Sequence, residues 1–396
     1  MGSTTDDTTG HAPAPSDIAA ACREAGFARI VGVATGGALA GVGLLSRALR
    51  ETGTPVQASL SADGSLGDTE ADLTLTVGIE GADIVFDGPS APLRAYEAAT
   101  ELVGEPVRPV LAVAGLLAAG AEPAMDEGGP LEAAALERRP GVGVPIEDLV
   151  DGLAHTTLIH LPSSADVDAT RTVVGLAGSA DSAEMGDSQE SVRRTIASRT
   201  TLHAIRGRPA RAAAALERFL HPYVGGPFET VAGYADVLEA LARERPGDGV
   251  ALVSGHGSPE TALETWRSFG RIVHRSLHDA RVDAADDVGV LTVSFDDDPA
   301  VAVRAARLGM VARLAGAFLL ESPVVLAVAS GERDECEAAA LVTEPRQADR
   351  SAGGLLGTAL ETLDAAPTST GGRRRATATF DALSTAALGS ALRREL

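Results

Sequence analysis

Seven arginines crowd residues 193–218: Arg193, Arg194, Arg199, Arg206, Arg208, Arg211 and Arg218, with Glu217 the single acid among them. Guanidinium groups are weakly hydrated and fork onto phosphate or carboxylate oxygens. Such a strip suits contact with a nucleic-acid backbone, and internal pairing with carboxylates elsewhere is the plainer alternative. A second basic run, Gly371-Gly372-Arg373-Arg374-Arg375, opens an alternating segment. On a strand, Arg373 and Arg375 would share one face and Arg374 the other. The histidines offer a different chemistry. His155 and His160 lie five apart in HTTLIHL, which reads as a strand, with Asp166 and Asp168 following. An odd spacing sends the two rings to opposite faces. His274 and His278 are four apart on an expected helix and share a face beside Asp279. Neither pair has a third ligand at a clear spacing, so a zinc site is weakly supported and structural histidines are the simpler reading. Gly36-Gly37, at a strand-to-helix turn, could offer backbone N–H groups to an anion, but it is neither a GxGxxG nor a Walker pattern. SGHGS at 254–258 lacks the GxSxG order and reads as a loop.

The elements that must position these residues follow from hydrophobic periodicity. ARIVGVA at 28–34 reads as a buried strand, followed by a helix with Leu39, Val42, Leu45 and Leu49 on one face and Gly53 closing it. Strands are expected at 56–60, 72–79 and 82–87, and helices at about 91–103 and 107–119. Strands spaced by helices imply a parallel α/β sheet. Residues 122–146, rich in Gly, Pro and Glu, look like a surface connection. The middle, about 147–285, reads as mainly helical. One of its helices carries Trp266, Phe269, Val273 and Leu277 as an apolar stripe, with Arg267, Arg271 and Arg275 along another face. The final part returns to an alternating plan, with strands at 288–295, 324–329, 338–343 and 374–380. Helices are expected near 352–364 and at the end, where Leu383, Ala387 and Ala391 lie. Asp296-Asp297-Asp298 signals a turn and a helix start.

Composition sets the limits. At 396 residues, of which 45% are hydrophobic, with mean hydropathy +0.10, the chain can bury a sizeable core. Two to three domains are expected at roughly 100–200 residues each. No apolar run reaches the ~18 residues of a membrane span. The opening MGSTTDDTTGHAPAPSD lacks the basic start and apolar run of a secretory signal and reads as a disordered tail, residues 1–17. The net charge is −22, and all 33 basic residues are arginine. An acidic, lysine-free surface keeps a protein soluble in concentrated salt, where repulsion is screened within a few ångströms. The two cysteines, Cys22 and Cys336, have no CxxC partner, so a reduced cytoplasm is the expected setting.

At four places the chain resembles the DHH superfamily of phosphoesterases, which includes RecJ-type exonucleases. That family opens with a strand and an Asp-x-Asp-Gly turn before a helix. Here the station reads Ala34-Thr35-Gly36-Gly37. Its second station, a strand ending in Asp, is matched by Thr76-Val77-Gly78. Its Asp-His-His is matched by Asp87-Gly88-Pro89, and its later helical Asp falls near Ala119 in LAVAGLLAAG. The family's smaller C-terminal domain carries a Gly-Gly-His signature, which resembles Gly371-Gly372-Arg373 within STGGRRRATATF. The resemblance covers about 18–120 and 287–396.

This resemblance implies an α/β fold with a parallel-sheet DHH-like domain at 18–146. A mainly helical continuation at 147–286 and a smaller C-terminal DHH-associated domain at 287–396 would follow. In the family, Asp and His ligands hold two divalent metals, usually Mn or Mg, that clamp both sides of an in-line phosphoryl displacement. Ala34, Gly36, Val77, Gly88 and Ala119 cannot ligate, and only Asp87 survives. The expected function is therefore that of a catalytically inactive RecJ-like scaffold or nucleic-acid-binding subunit of a DNA or RNA processing assembly. No cofactor is expected for that role. Contacts with single-stranded nucleic acid would come from Gly371 to Arg375 and from Arg206, Arg208 and Arg211. Protein partners and an oligomer are compatible with it. The alternative is a Mn- or Mg-dependent single-strand-specific 5'-3' exonuclease with ligands rearranged among His155, His160, His274 and the abundant Asp. A nucleotide-binding protein using Gly36-Gly37 is a third class.

Overall fold

The computed structural model describes residues 13–62, 64–179, 189–205, 209–285, 287–297, 301–330, 335–342, 351–365, 368–371, 375–381 and 384–396. The N-terminal part contains α1 (Pro15–Glu24), β1 (Ala28–Val33), α2 (Gly36–Glu51), β2 (Val56–Ser61), β3 (Leu73–Val77), β4 (Ile84–Phe86), α3 (Ala91–Val103) and α4 (Pro109–Ala119). The four strands run parallel in the order β2-β1-β3-β4. The chain leaves β1 through α2 to a neighbour on one side, then returns to β3 on the other. Such a reversal opens a crevice at the carboxyl ends of β1 and β3, where α/β sheets hold their ligands.

α2 departs from the one-faced helix expected of it. It is buried from Gly36 through Leu49 except at Arg47, enclosed by the sheet, α3, α4 and later helices. Its glycines permit this: a Cβ added at Gly43 would lie 2.6 Å from a Val253 carbon. A helix hydrophobic all round belongs inside the protein. α1 also begins earlier than expected, inside the anticipated tail. Pro15 opens it, and the Ala14 N–H donates to Asp17 Oδ2 at 3.3 Å. Ile18, Ala19 and Cys22 are then buried.

The middle contains α5 (Pro130–Ala133), β5 (Glu137–Arg138), α6 (Leu149–His155), α7 (Val167–Ser179), α8 (Gln189–Ile205), α9 (Arg211–Phe219), β6 (Tyr223–Val224), α10 (Val231–Glu244), α11 (Pro246–Val253) and α12 (Pro259–Asp279). It is mainly helical, as the sequence implies. Residues 122–146 are not merely a surface connection. Leu131, Val142 and Val144 are buried, and β5 pairs with β6. HTTLIHL is not a strand. α6 ends at His155 and the following residues form an irregular turn. SGHGS does lie in a loop, and Ser258 caps α12 by accepting from the Glu260 and Thr261 N–H groups.

The last part contains β7 (Arg281–Ala284), β8 (Val288–Val293), α13 (Val301–Phe318), β9 (Val324–Ser330), β10 (Glu335–Val342), α14 (Ala352–Glu361), β11 (Thr368–Gly371), β12 (Arg375–Asp381) and α15 (Thr385–Glu395). Its six-stranded sheet has the order β11-β12-β10-β9-β8-β7, with only β8 and β9 parallel. Alternation divides it. Val288, Val290, Val324, Leu326 and Val328 face α14 and α15, while Leu291, Val293, Val325 and Ala327 join α13 in the main core. That core runs without a break from β1 to β9.

Candidate functional site

The four N-terminal stations gather at the carboxyl edge of the parallel sheet. Ala34 follows β1, and its N–H donates to Ser61 O at 3.1 Å. Gly36 and Gly37 open α2, with Thr35 as the cap accepting from the Ala38 N–H. A Cβ added at Gly37 would lie 3.0 Å from the Ala119 Cβ, so the first and fourth stations touch. Val77 is buried at the end of β3, and the Gly78 N–H donates to Phe86 O at 2.8 Å, joining the second station to the third. Asp87, Gly88 and Pro89 are exposed beyond β4. Of the stations Ala34, Gly36, Val77, Asp87, Gly88 and Ala119, only Asp87 carries a side-chain oxygen.

A carboxylate from elsewhere sits at this edge. Glu239 of α10 accepts from the Gly36 N–H through Oε2 at 2.6 Å. Its Oε1 lies 2.5 Å from Arg243 Nη2, one helical turn on. Burial works to raise the Glu239 pKa, but the Arg243 charge, the Gly36 N–H and the more distant Arg375 outweigh it and hold the carboxyl below its usual range. A negative group at the head of a 16-residue helix also gains from the helix dipole. The approach is close: a Cβ at Gly36 would lie 2.8 Å from the Glu239 backbone nitrogen. Two hard divalent cations need several oxygen or imidazole ligands. Here the stations supply one exposed carboxylate, and Glu239 is committed to a guanidinium and a backbone N–H. The residues present do not fit a metal pair.

Further arginines surround this carboxylate. Arg243 Nη1 donates to Ala306 O at 3.0 Å, tying α10 to α13. Gly309 of α13 packs between Arg243 and Thr377 of β12. Arg313, also on α13, donates to Thr157 O. Its burial, and then the charge of Arg375, lower its pKa to about 10. Arg375, exposed at the start of β12, thus acts on both Glu239 and Arg313. The one described arginine of the C-terminal signature therefore shares this edge with the N-terminal stations. Arg307 completes the seam, donating to both oxygens of Glu244 (2.6 and 2.8 Å) and of Asp297 (2.7 and 3.0 Å).

A second polar cluster lies behind the first, under α12. Asp236, fully buried on α10, accepts from Thr156 Oγ1 (2.8 Å), Thr157 N (3.1 Å), Thr157 Oγ1 (2.5 Å) and Trp266 Nε1 (2.7 Å). Burial raises its pKa against those four donors. His274 Nε2 lies 2.9 Å from Thr156 O and therefore carries the proton. Its Nδ1, 3.0 Å from His160 Nδ1, must then accept, and His160 donates. Burial pushes the His274 pKa down to about 4. His155 pairs with Asp151, which also receives Arg267 Nε at 2.8 Å. His278 Nε2 meets Ser164 O at 3.1 Å. The structure thus brings His155, His160, His274 and His278 around α12, with ring nitrogens committed to protein partners. Among the described residues, no group of three or more His, Cys, Asp or Glu is placed to hold a metal ion.

The arginine strip divides. Arg211 donates to Leu320 O and, at 3.0 Å, to Ser322 O, so it fastens α9 to the loop before β9. Gly371 ends β11 opposite Ala376. Arg206, Arg208, Gly372, Arg373 and Arg374 lie outside the described residues. On α12, Arg271 and Arg275 are exposed, and the Trp266, Phe269, Val273 and Leu277 stripe is buried as expected. Glu239 and Asp236 are the residues that sequence reasoning missed. One signal was available: in VAGYADVLEALARE, Asp236, Glu239 and Arg243 recur at spacings of three and four along an otherwise apolar helix.

No family model matches the chain. It is 40% identical over 374 residues to the uncharacterized protein rrnAC1427 of Haloarcula marismortui, covering 92% of this chain and 93% of that one. The chain belongs to that family. Among solved structures, Cdc45 from Entamoeba histolytica aligns over 96% of this chain and 97% of its own, with a TM-score of 0.59 and 9% identity. Magnesium-bound RecJ from Thermus thermophilus aligns over 96% of this chain and 52% of its own, with a TM-score of 0.44 and 18% identity. The likeness to Cdc45 is one of fold, spanning nearly the whole of both chains. Among the described residues, no helix is long and apolar enough to cross a membrane.

Proposed function

We propose that this protein is a catalytically inactive RecJ-like subunit, a scaffold or nucleic-acid-binding component of a DNA or RNA processing assembly. The observation that carries this reading is the Glu239 carboxylate on the Gly36 N–H, paired with Arg243. The protein fills the head of α2 with its own ion pair, at the edge where a DHH enzyme would gather metal ligands. Ala34, Gly36, Val77, Gly88 and Ala119 around it supply nothing to hold a cation or to activate water. The likeness to the Cdc45 fold supports a structural role. Arg375, with Gly371, Gly372, Arg373 and Arg374, remains the proposed contact for single-stranded nucleic acid. Arg206 and Arg208 are proposed as further contacts, while Arg211 is occupied by carbonyls. The lysine-free acidic surface and the kinship with a Haloarcula protein support a salt-adapted cytoplasm as the setting.

The test is a manganese-dependent assay on single-stranded DNA and RNA in concentrated salt, beside a pull-down from native-salt lysate. The expected result is no degradation by the wild type or by Asp87→Ala, with capture of replication, repair or RNA-processing proteins. Robust degradation abolished by Asp87→Ala overturns the proposal.

A further inference from the structure

We propose that this protein self-associates through β7, two copies pairing edge to edge about a two-fold axis at Val282. β7 ends the six-stranded sheet, paired on one side with β8, and all four of its residues are exposed. An end strand presents a row of N–H and C=O groups that can template another strand. Here the sequence complements itself. In an antiparallel pair, the register that sets Val282 opposite its copy sets Arg281 opposite the copy's Asp283, twice. Registers centred on Arg281 or on Asp283 would oppose like charges instead. Directly opposite charges stabilise a pair and like charges destabilise it, by roughly 0.2–1 kcal/mol each. Side chains alternate along a strand, so both ion pairs fall on one face and the valine pair on the other. Val282, 50% exposed in one copy, gains an apolar neighbour.

The charges of β7 itself offset the overall repulsion at this edge. Two copies of net charge −22 repel each other. β7 itself carries one charge of each sign, Arg281 and Asp283, and Arg393 of α15 stands beside Asp283. Arg393 approaches Asp283 at only 3.5 Å, and the Asp283 side chain is 77% exposed, so a second copy's Arg281 displaces little. The product is an isologous dimer in which two six-stranded sheets become continuous.

Sedimentation velocity over a range of protein concentrations, in concentrated salt to screen the overall repulsion, reads this directly. The wild type should dimerise reversibly. Asp283→Arg, at an exposed position, should raise the dimer dissociation constant about tenfold or more with circular dichroism unchanged, since two attractive pairs become repulsive. The charge swap Arg281→Asp with Asp283→Arg should restore wild-type association, and Val282→Lys should weaken it. A monomer at every concentration overturns the proposal. So does a dimer indifferent to Asp283→Arg, or a swap that fails to restore pairing.

Discussion

The carboxyl edge of the parallel sheet and the cluster beneath α12 differ in what they do with polar groups. At the sheet edge the stations are alanine, glycine and valine apart from the exposed Asp87, and the buried carboxylate there, Glu239, arrives from α10. Beneath α12, Asp236 alone gathers four donors, and two histidines share a proton between ring nitrogens. Buried polar groups are costly unless fully partnered. A protein retains them where they hold something in place or where they react. Here they join α6, α10, α12 and α13, so the polar groups of this cluster serve as fasteners between helices.

The contrast can be broken most severely at Asp236. Asp236→Ala leaves two threonine hydroxyls, a backbone N–H and the Trp266 indole unpaired in a dry interior, and should cost roughly 4 kcal/mol. Denaturant titration in native salt measures it, and a loss below about 1 kcal/mol would show that the cluster is not a fastener.

The pH dependence comes next. The His274 pKa is held down at about 4, against an ordinary 6.5. Between those values the unfolded chain binds a proton that the folded one refuses. Stability from this residue is therefore complete above about pH 6.5 and drains away as pH falls toward 4, by up to about 3 kcal/mol. Melting curves across this window should flatten in His274→Gln, and an unchanged slope would remove His274 from the explanation.

The smallest expected effect belongs to the seam. Arg307→Met strands Glu244, while Asp297, half exposed, can turn to water. A loss of about 2 kcal/mol should follow, with faster proteolysis between α12 and α13. Equal protease resistance in both proteins would mean that apolar packing alone holds the seam.

The two regions were also unequally legible. The parallel sheet could be read because its strands are local, apolar and separated by helices, so periodicity marks β1, β3, α3 and α14 closely. The stations came from the resemblance and not from periodicity; Ala34, Gly78 and Asp87 follow parallel strands, and residues after parallel strands meet at one edge. The α12 cluster was not legible, because the bonds that assemble it join residues 30 to 118 positions apart. HTTLIHL shows the cost. Its β-branched residues alternate like a strand, yet the Thr157 N–H goes to Asp236 and the Thr156 carbonyl to His274, which leaves no ladder to form. Glu239 was invisible for a related reason: nothing in α10 says that its carboxylate will cross to the head of α2, more than two hundred residues earlier in the chain.

That crossing has a consequence for what the chain can become. The first atom of any side chain at Gly36 would meet the Glu239 backbone at 2.8 Å. Backbone cannot swing aside as a flexible side chain does, so α10 would have to retreat before such a substitution could be accommodated. A retreat of α10 would in turn loosen Asp236 and the Arg243 tie to α13. The glycine thus works as a lock: two helices close on it, and their closure stands against any side chain at the head of α2.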